Sequence, residues 1–260
     1  MNKNVSIAIT TALVMNCGIV NAQEATNIGK HNITLSKNVM TPETLWAMGR
    51  IGNAQASPDG NKIVYQVGYY SVKENRGHQV ICVMDSDGKN VRQLTTSAKS
   101  EVSPTWLDDH TIAFLLDGQI WSMNSDGSYR KKLSSSDIEI EGFRFSPDRK
   151  KVLLIKSIPY YGTIKKNPSD LPKASGRLIT DMNYRHWDHY VETIAHPFVA
   201  EVTANGISKN DVDIIEGEPY ESPLAPFGGI EQFDWSKDSK QIAYTCRKKE
   251  GVKYAVSTDA

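Results

Sequence analysis

The sequence predicts an all-β chain: a partial β-propeller of about four four-stranded blades, incomplete at its C-terminus, with a short N-terminal helix and one insertion. Three observations predict it. A turn tetrad followed by an apolar strand occurs four times, in ASPDGNKIVY, TWLDDHTIAF, FSPDRKKVLLI and DWSKDSKQIAY. The tetrads begin at Ser57, Leu107, Ser146 and Ser236, with gaps of 50, 39 and 90 residues, the last being roughly two periods. A period of about 40 to 45 residues is that of four-stranded propeller blades. Finally, GHQVICVMDSDGKNVRQLT at 77–95 parallels GQIWSMNSDGSYRKKL at 118–133. Each holds two runs joined by an Asp-Gly hairpin signal, which supplies the outer strand pair of a blade.

Taken in order, residues 1–22 read as a signal peptide, with one early lysine, an uncharged stretch from Val5 to Val20, and Val20-Asn21-Ala22 before the cut. The stretch is too short and too rich in Thr, Ser and Asn to be a spanning helix, so the mature chain is expected to begin at Gln23. That implies a periplasmic or secreted protein with no membrane contact once the leader is gone. Residues 23–39 are polar and aperiodic, a mobile lead-in. Thr41-Pro42-Glu43 then supplies a cap, a first-turn proline and an acidic first turn for a helix over Pro42 to Met48.

The partial propeller is expected over 40–260. Blade one runs from about Ile51 to Leu94 and blade two from about Val102 to Leu133. In Ser57-Pro58-Asp59-Gly60 the proline presets φ, Asp suits the next position and Gly accepts the left-handed one, so the chain reverses into a hairpin. Blade three opens near Ile140 with IEIEGFRFSPD and KVLLI, but its outer pair arrives only at Pro197, which sets 156–196 apart as an insertion. Blade four begins with GIEQFDW at Gly229 and continues through QIAYTC to KYAVS, so its last strand is absent. A propeller blade buries its faces against two neighbours. An unfinished propeller is therefore expected to be marginally stable and prone to self-association.

Composition excludes little but is clear on charge. The chain has 260 residues with 30 basic and 30 acidic side chains, and no basic stripe interleaved with aromatics, so nucleic acid is not an expected partner. Lys165-Lys166 and Lys248-Lys249 read as solvated surface. Leader cleavage removes Cys17, and Cys82 and Cys246 fall in strand-like runs of different blades, as two buried free thiols. Neither a metal nor another cofactor is expected: His186 and His189 are three residues apart, but no further ligand stands at matching spacing.

The stretch MTPETLWAMGRIGNAQASPDGNKIVYQV resembles the start of the propeller in exported peptidases of the prolyl oligopeptidase family, of the acylaminoacyl-peptidase and dipeptidyl-peptidase V types. A second match is ITDMNYRHWDHYVETIAHPFVAEV at 179–202, whose Arg185-His186-Trp187-Asp188 core, Tyr190, and His196 before Phe198 look like the inserted segment of that family's propeller. The resemblance covers residues 40–260. It implies a propeller that caps a separate α/β-hydrolase domain, which carries a Ser-Asp-His triad and cleaves short peptides admitted between the two. This sequence holds no Gly-x-Ser-x-Gly nucleophile elbow, and Gly127-Ser128 reads as a turn without the second glycine. No catalytic residue is assigned, and the chain alone is expected to be inactive. The reading is a substrate-gating propeller portion of a periplasmic serine exopeptidase whose hydrolase domain lies outside this chain.

The candidate substrate-binding residues are Arg185, His186, Trp187, Asp188 and Tyr190. They concentrate a fork of donors, a carboxylate for an amino terminus, and aromatic faces. A local Arg185–Asp188 pair, with Trp187 packed on the blade, is the structural alternative. Glu139 and Glu141 alternate on one strand and could face a channel or serve as charged edge residues. Trp106, Trp121 and Trp235 fall at repeat positions and are expected in the core. A TolB-like periplasmic binding or scaffold propeller stays open as a second function. Such a protein carries an α/β domain ahead of its repeats and has no place for the Arg-His-Trp-Asp segment.

Overall fold

The computed structural model describes residues 28–32, 39–160, 164–165, 173, 178–179 and 193–248. Helix α1 (Pro42–Ala47) starts where the sequence places it, with Thr41 Oγ1 accepting from the Thr44 N–H at 3.2 Å. The guanidinium of Arg50 lies over the rings of both Trp46 and Tyr70, at 5.0 and 4.3 Å, and so ties the helix to the first sheet.

Two four-stranded antiparallel sheets follow in simple up-and-down order. The first is β1 (Arg50–Ala56), β2 (Lys62–Ser71), β3 (Arg76–Asp85) and β4 (Arg92–Gln93). The second is β5 (Glu101–Trp106), β6 (Thr111–Leu116), β7 (Gln119–Asn124) and β8 (Lys131–Lys132). These are blades one and two, and their hairpins close through Gly60, Gly88, Gly118 and Gly127, all at positive φ.

Blade three begins with β9 (Ile140–Phe145) and β10 (Lys151–Pro159). A short separate ladder, β11 (Ile164–Lys165) with β12 (Leu178–Ile179), comes next along the chain. The blade resumes with β13 (Thr193–Thr203), which pairs with β10, with β14 (Gly206–Ile207) and with β15 (Val212–Asp213). The ladder between β10 and β13 runs from Lys151↔Glu201 out to Pro159↔Thr193. The stretch 156–196 therefore gives its first four and last four residues to the blade, and the segment between the paired strands is 160–192. Alternation in the run around Lys156 is broken by the lysine, which hid the continuation of the strand.

Blade four shows β16 (Phe233–Trp235) paired with β17 (Ile242–Tyr244). Ile230–Gln232 is a 3₁₀ turn, so the strand read from Gly229 starts four residues later. The stretch KYAVS lies outside the described residues. Cys82 and Cys246 are free thiols, Cys82 buried and Cys246 only partly so because it falls past the end of β17.

The blades stack through equivalent faces. Tyr65, Phe114 and Leu154 are equivalent strand positions, as are Val64, Ala113 and Leu153. Phe114 of blade two packs with Val64 of blade one, and Leu154 of blade three packs with Ala113 of blade two. Leu153 packs forward on Phe233 of blade four. Each fully buried Ile, Leu or Phe contributes about 1.5 to 3 kcal/mol, so the sheet-to-sheet faces are the main source of stability.

The turn tetrads reinforce the stacking. Ser57, Ser146 and Ser236 each take the backbone N–H five residues on, from Lys62, Lys151 and Gln241, at 2.9 to 3.0 Å, and donate to Asp59, Asp148 and Asp238. The Asp59 N–H donates onward to Asp109 of blade two, and the Asp148 N–H to Ser239 of blade four. Trp106 donates its indole N–H to the Gln55 carbonyl of the blade before, and Trp235 donates likewise to Arg144. Trp106 is buried, while Trp121 and Trp235 are half-buried against core clusters.

Candidate functional site

Strand direction sorts the molecule into two ends. The tetrads, the Asp-Gly turns and the β13–β14 hairpin lie at one. Helix α1, the starts of β1, β5 and β9, and the points where segment 160–192 leaves and returns lie at the other. Pro159 and Thr193 are Cα partners, so that segment departs from and rejoins the sheet at a single place. Arg185, His186, Trp187, Asp188 and Tyr190 lie outside the described residues. What can be built from the residues upward is the root that carries them.

That root differs in chemistry from the equivalent places in the other blades. Lys156 and His196 are cross-strand partners, as are Val67 and Val80 at the corresponding positions of blade one. Lys156 Nζ donates to both carboxylate oxygens of Asp211 at 2.8 Å and sits 3.8 Å from the centre of the Phe198 ring. His196 Nδ1 lies 2.8 Å from Asp213 Oδ2, and since a carboxylate only accepts, the ring donates through Nδ1. The side chains are enclosed: Lys156 is 5% exposed, Asp211 and Asp213 12% each, and His196 0%. His196 Nε2 is buried without a hydrogen-bond partner among the described residues.

The arrangement holds β10, β13 and β15 together by side chains where the two-residue β15 offers few ladder bonds. Groups so enclosed are largely shut off from solvent, and they join the strands at the root of the segment. Breaking such a buried pair by removing one member costs about 3 to 5 kcal/mol.

A second buried charge lies at the same end. Glu101, at the start of β5, is fully buried and bonded to Arg130, whose guanidinium also rests over the Phe114 ring at 5.0 Å. The other Glu101 oxygen has no hydrogen-bond partner among the described residues. Around it Gln66 accepts from the Ser103 N–H, and Ser100 Oγ accepts from the Gln79 N–H. Glu139 and Glu141, at the start of β9, are exposed.

Sequence reasoning missed Lys156, Asp211, Asp213 and the Glu101–Arg130 pair. The available signal was a lysine inside the apolar run KVLLIKSIP; Glu101 had none, because its partner stands 29 residues away. Elsewhere burial pushes the Cys82 thiol up to about 11, which keeps it an inert thiol and not a nucleophile. Among the described residues no group of three or more His, Cys, Asp or Glu could hold a metal ion, and no helix is long and apolar enough to cross a membrane.

No family model matches the chain. Among curated proteins it is similar to dipeptidyl-peptidase 5 of Porphyromonas gingivalis, 40% identical over 265 residues, covering 100% of this chain and 37% of that protein. Dipeptidyl-peptidase 5 of Porphyromonas endodontalis is 36% identical over 232 residues, covering 87% of this chain and 33% of that one. The chain thus spans about a third of the length of these relatives. Among solved structures, the acylaminoacyl peptidase of Pyrococcus horikoshii aligns at 12% identity and a TM-score of 0.47, over 65% of this chain and 26% of that one. The blade repeats, the stacked four-stranded sheets and a 40% match along the whole chain lead to one family: this is a propeller of a peptidase of the prolyl oligopeptidase family.

Proposed function

We propose that the chain is the substrate-gating propeller of an exported serine exopeptidase, a dipeptidyl or acylaminoacyl peptidase acting on short peptides, periplasmic or secreted. Its chemistry would be acyl transfer through a serine with a histidine base and an oxyanion hole, all supplied by an α/β-hydrolase domain outside this chain. The observation that carries the reading is the identity of 40% over the whole chain to a dipeptidyl-peptidase 5 of which it spans 37%.

In this reading the propeller limits access to small peptides, and Arg185, His186, Trp187, Asp188 and Tyr190 contact the peptide or the hydrolase domain. Pro159 and Thr193 deliver that segment from one point of blade three, and the Lys156–Asp211 and His196–Asp213 pairs fix the delivery point.

The test compares the 260-residue chain with a protein in which it is joined to the remaining two thirds of a dipeptidyl-peptidase 5 relative. The joined protein is expected to release chromophore from a dipeptidyl substrate and to react with a serine-directed fluorophosphonate, and the chain alone to do neither. Replacing Arg185 and Asp188 by Ala in the joined protein is expected to raise KM for dipeptidyl substrates by roughly ten-fold. Hydrolysis by the chain alone, or an unchanged KM, would contradict the proposal.

A further inference from the structure

A cavity of about 250 Å³ opens between blades two and three at the tetrad end. It lies at a departure in the repeat. The residue before each tetrad is Trp106 in blade two and Trp235 in blade four, and both indoles reach back to a carbonyl of the preceding blade. Blade three has Phe145 there, smaller and without a donor. Its place in the contact is taken by Arg149, which donates to the Trp106 carbonyl at 3.1 Å. Phe145 and Arg149 both line the cavity, so the departure from the repeat falls on its wall.

The walls come from both blades. Leu133, Phe145, Val202 and Ile207 make an apolar interior. The Ile207 N–H donates to the Leu133 carbonyl at 2.8 Å, which clasps β14 of blade three onto blade two. At Gly206, with φ +130, an added Cβ would stand 2.5 Å from that same carbonyl, so the clasp requires glycine. Three charged groups line the cavity: Asp108, Lys131 and Arg149. One oxygen of Asp108 takes the N–H groups of His110 and Thr111, and its charge acts on Arg149. Lys131 has no hydrogen-bond or ion-pair partner among the described residues. The balance is one unpaired cation over an apolar pocket.

We propose that this cavity binds the C-terminal residue of a short peptide, with an aliphatic side chain against Phe145, Val202 and Ile207 and the free carboxylate on Lys131 and Arg149. A carboxylate balances the one positive charge that Asp108 leaves uncompensated, and its hydrogen bonds to cations are the strong kind. The site lies at the opposite end of the blade from Pro159 and Thr193, and it does not rest on the proposed peptidase function.

The probes are acetyl-alanyl-leucine and its carboxamide, titrated into the ¹⁵N-labelled chain. The acid is expected to shift amide resonances of 131–133 and 203–207 with roughly millimolar affinity, and the amide to bind about ten-fold or more weakly. Phe145→Trp installs the residue that blades two and four carry and is expected to abolish binding. Lys131→Gln, on an exposed side chain, is expected to weaken the acid about ten-fold while leaving the amide unchanged. Equal binding of acid and amide, binding that survives both variants, or no shifts at tens of millimolar acid would overturn the proposal.

Discussion

The contact between blades one and two and the contact between blades two and three are built on the same strand positions and solved differently. The first is apolar through its middle, with Val64, Ile81, Trp106, Ile112, Phe114 and Met123 all within 2% of full burial. Its tetrad end is sealed by the Trp106 indole, and it carries a single buried pair, Glu101–Arg130, against the Phe114 ring. The second shares an apolar middle, but its tetrad end holds a cavity beside Phe145, and its other end holds Lys156, His196, Asp211 and Asp213. Apolar faces between blades are interchangeable in a repeat protein. A buried ion-pair row is not, because each charge needs its own partner in place. Blade three carries the longer row of buried charges and, among the described residues, is the one blade whose second and third strands are parted by a long insertion.

The largest test of that contrast is Lys156→Ala. It strands Asp211 in an enclosed site and is expected to cost about 3 to 5 kcal/mol of unfolding free energy in urea titrations. The paired change Lys156→Met with Asp211→Leu removes both charges and is expected to recover most of the loss, since apolar replacements of buried pairs are often neutral or better. A single change that costs under about 1 kcal/mol would show the row to be no different from an exposed pair.

A smaller effect is expected at the first contact. Trp106→Phe copies blade three into blade two and removes the indole donor to Gln55. The bond is only partly buried, so the expected cost is about 0.5 to 1.5 kcal/mol, the net worth of one hydrogen bond, together with a new cavity at that seat. If the variant melts as the parent does, the indole bond is not what closes the tetrad end of this contact.

The parts of this molecule that were legible in sequence are those where local chemistry and repetition agree. Ser57-Pro58-Asp59-Gly60 specifies its own turn, and its recurrence gave the period, the hairpins, the strand faces and the tryptophan seats. Thr41 and Pro42 specified the helix start. The pairing of Pro159 with Thr193 was not legible because a lysine in an apolar run reads as a strand end, and only a partner 55 residues away makes Lys156 tolerable in the core. Glu101 was invisible for the same reason. The candidate peptide-binding residues came from the insertion's composition, whereas the groups that fix its root are scattered over three strands. Distance in sequence separates what a single pass can see from what folding assembles.

The smallest effect concerns the tetrads themselves. Asp59, Asp148 and Asp238 are exposed, and each is held below its ordinary pKa first by the hydroxyl of Ser57, Ser146 or Ser236 and then by backbone N–H groups. A depressed carboxylate favours the folded state above its unfolded pKa, near 4, and that contribution is lost as the pH falls through the lower folded value. Ser57→Ala removes the main cause at Asp59 alone. In carboxylate-detected NMR titration, Asp59 is expected to move up toward the ordinary Asp range while Asp148 and Asp238 stay in place. Blade two has Leu107 at this position and so offers no equivalent hydroxyl, yet its Asp109 still receives the Asp59 N–H. The Ser57 hydroxyl bonds within its own hairpin, to Asp59 and Lys62, while the donor to Asp109 is a backbone N–H, so the contact between blades is expected to survive its loss. An Asp59 titration unmoved by Ser57→Ala would place the depression in the backbone N–H groups instead. The tetrad would then be fixed by its turn geometry, with the hydroxyl only following it.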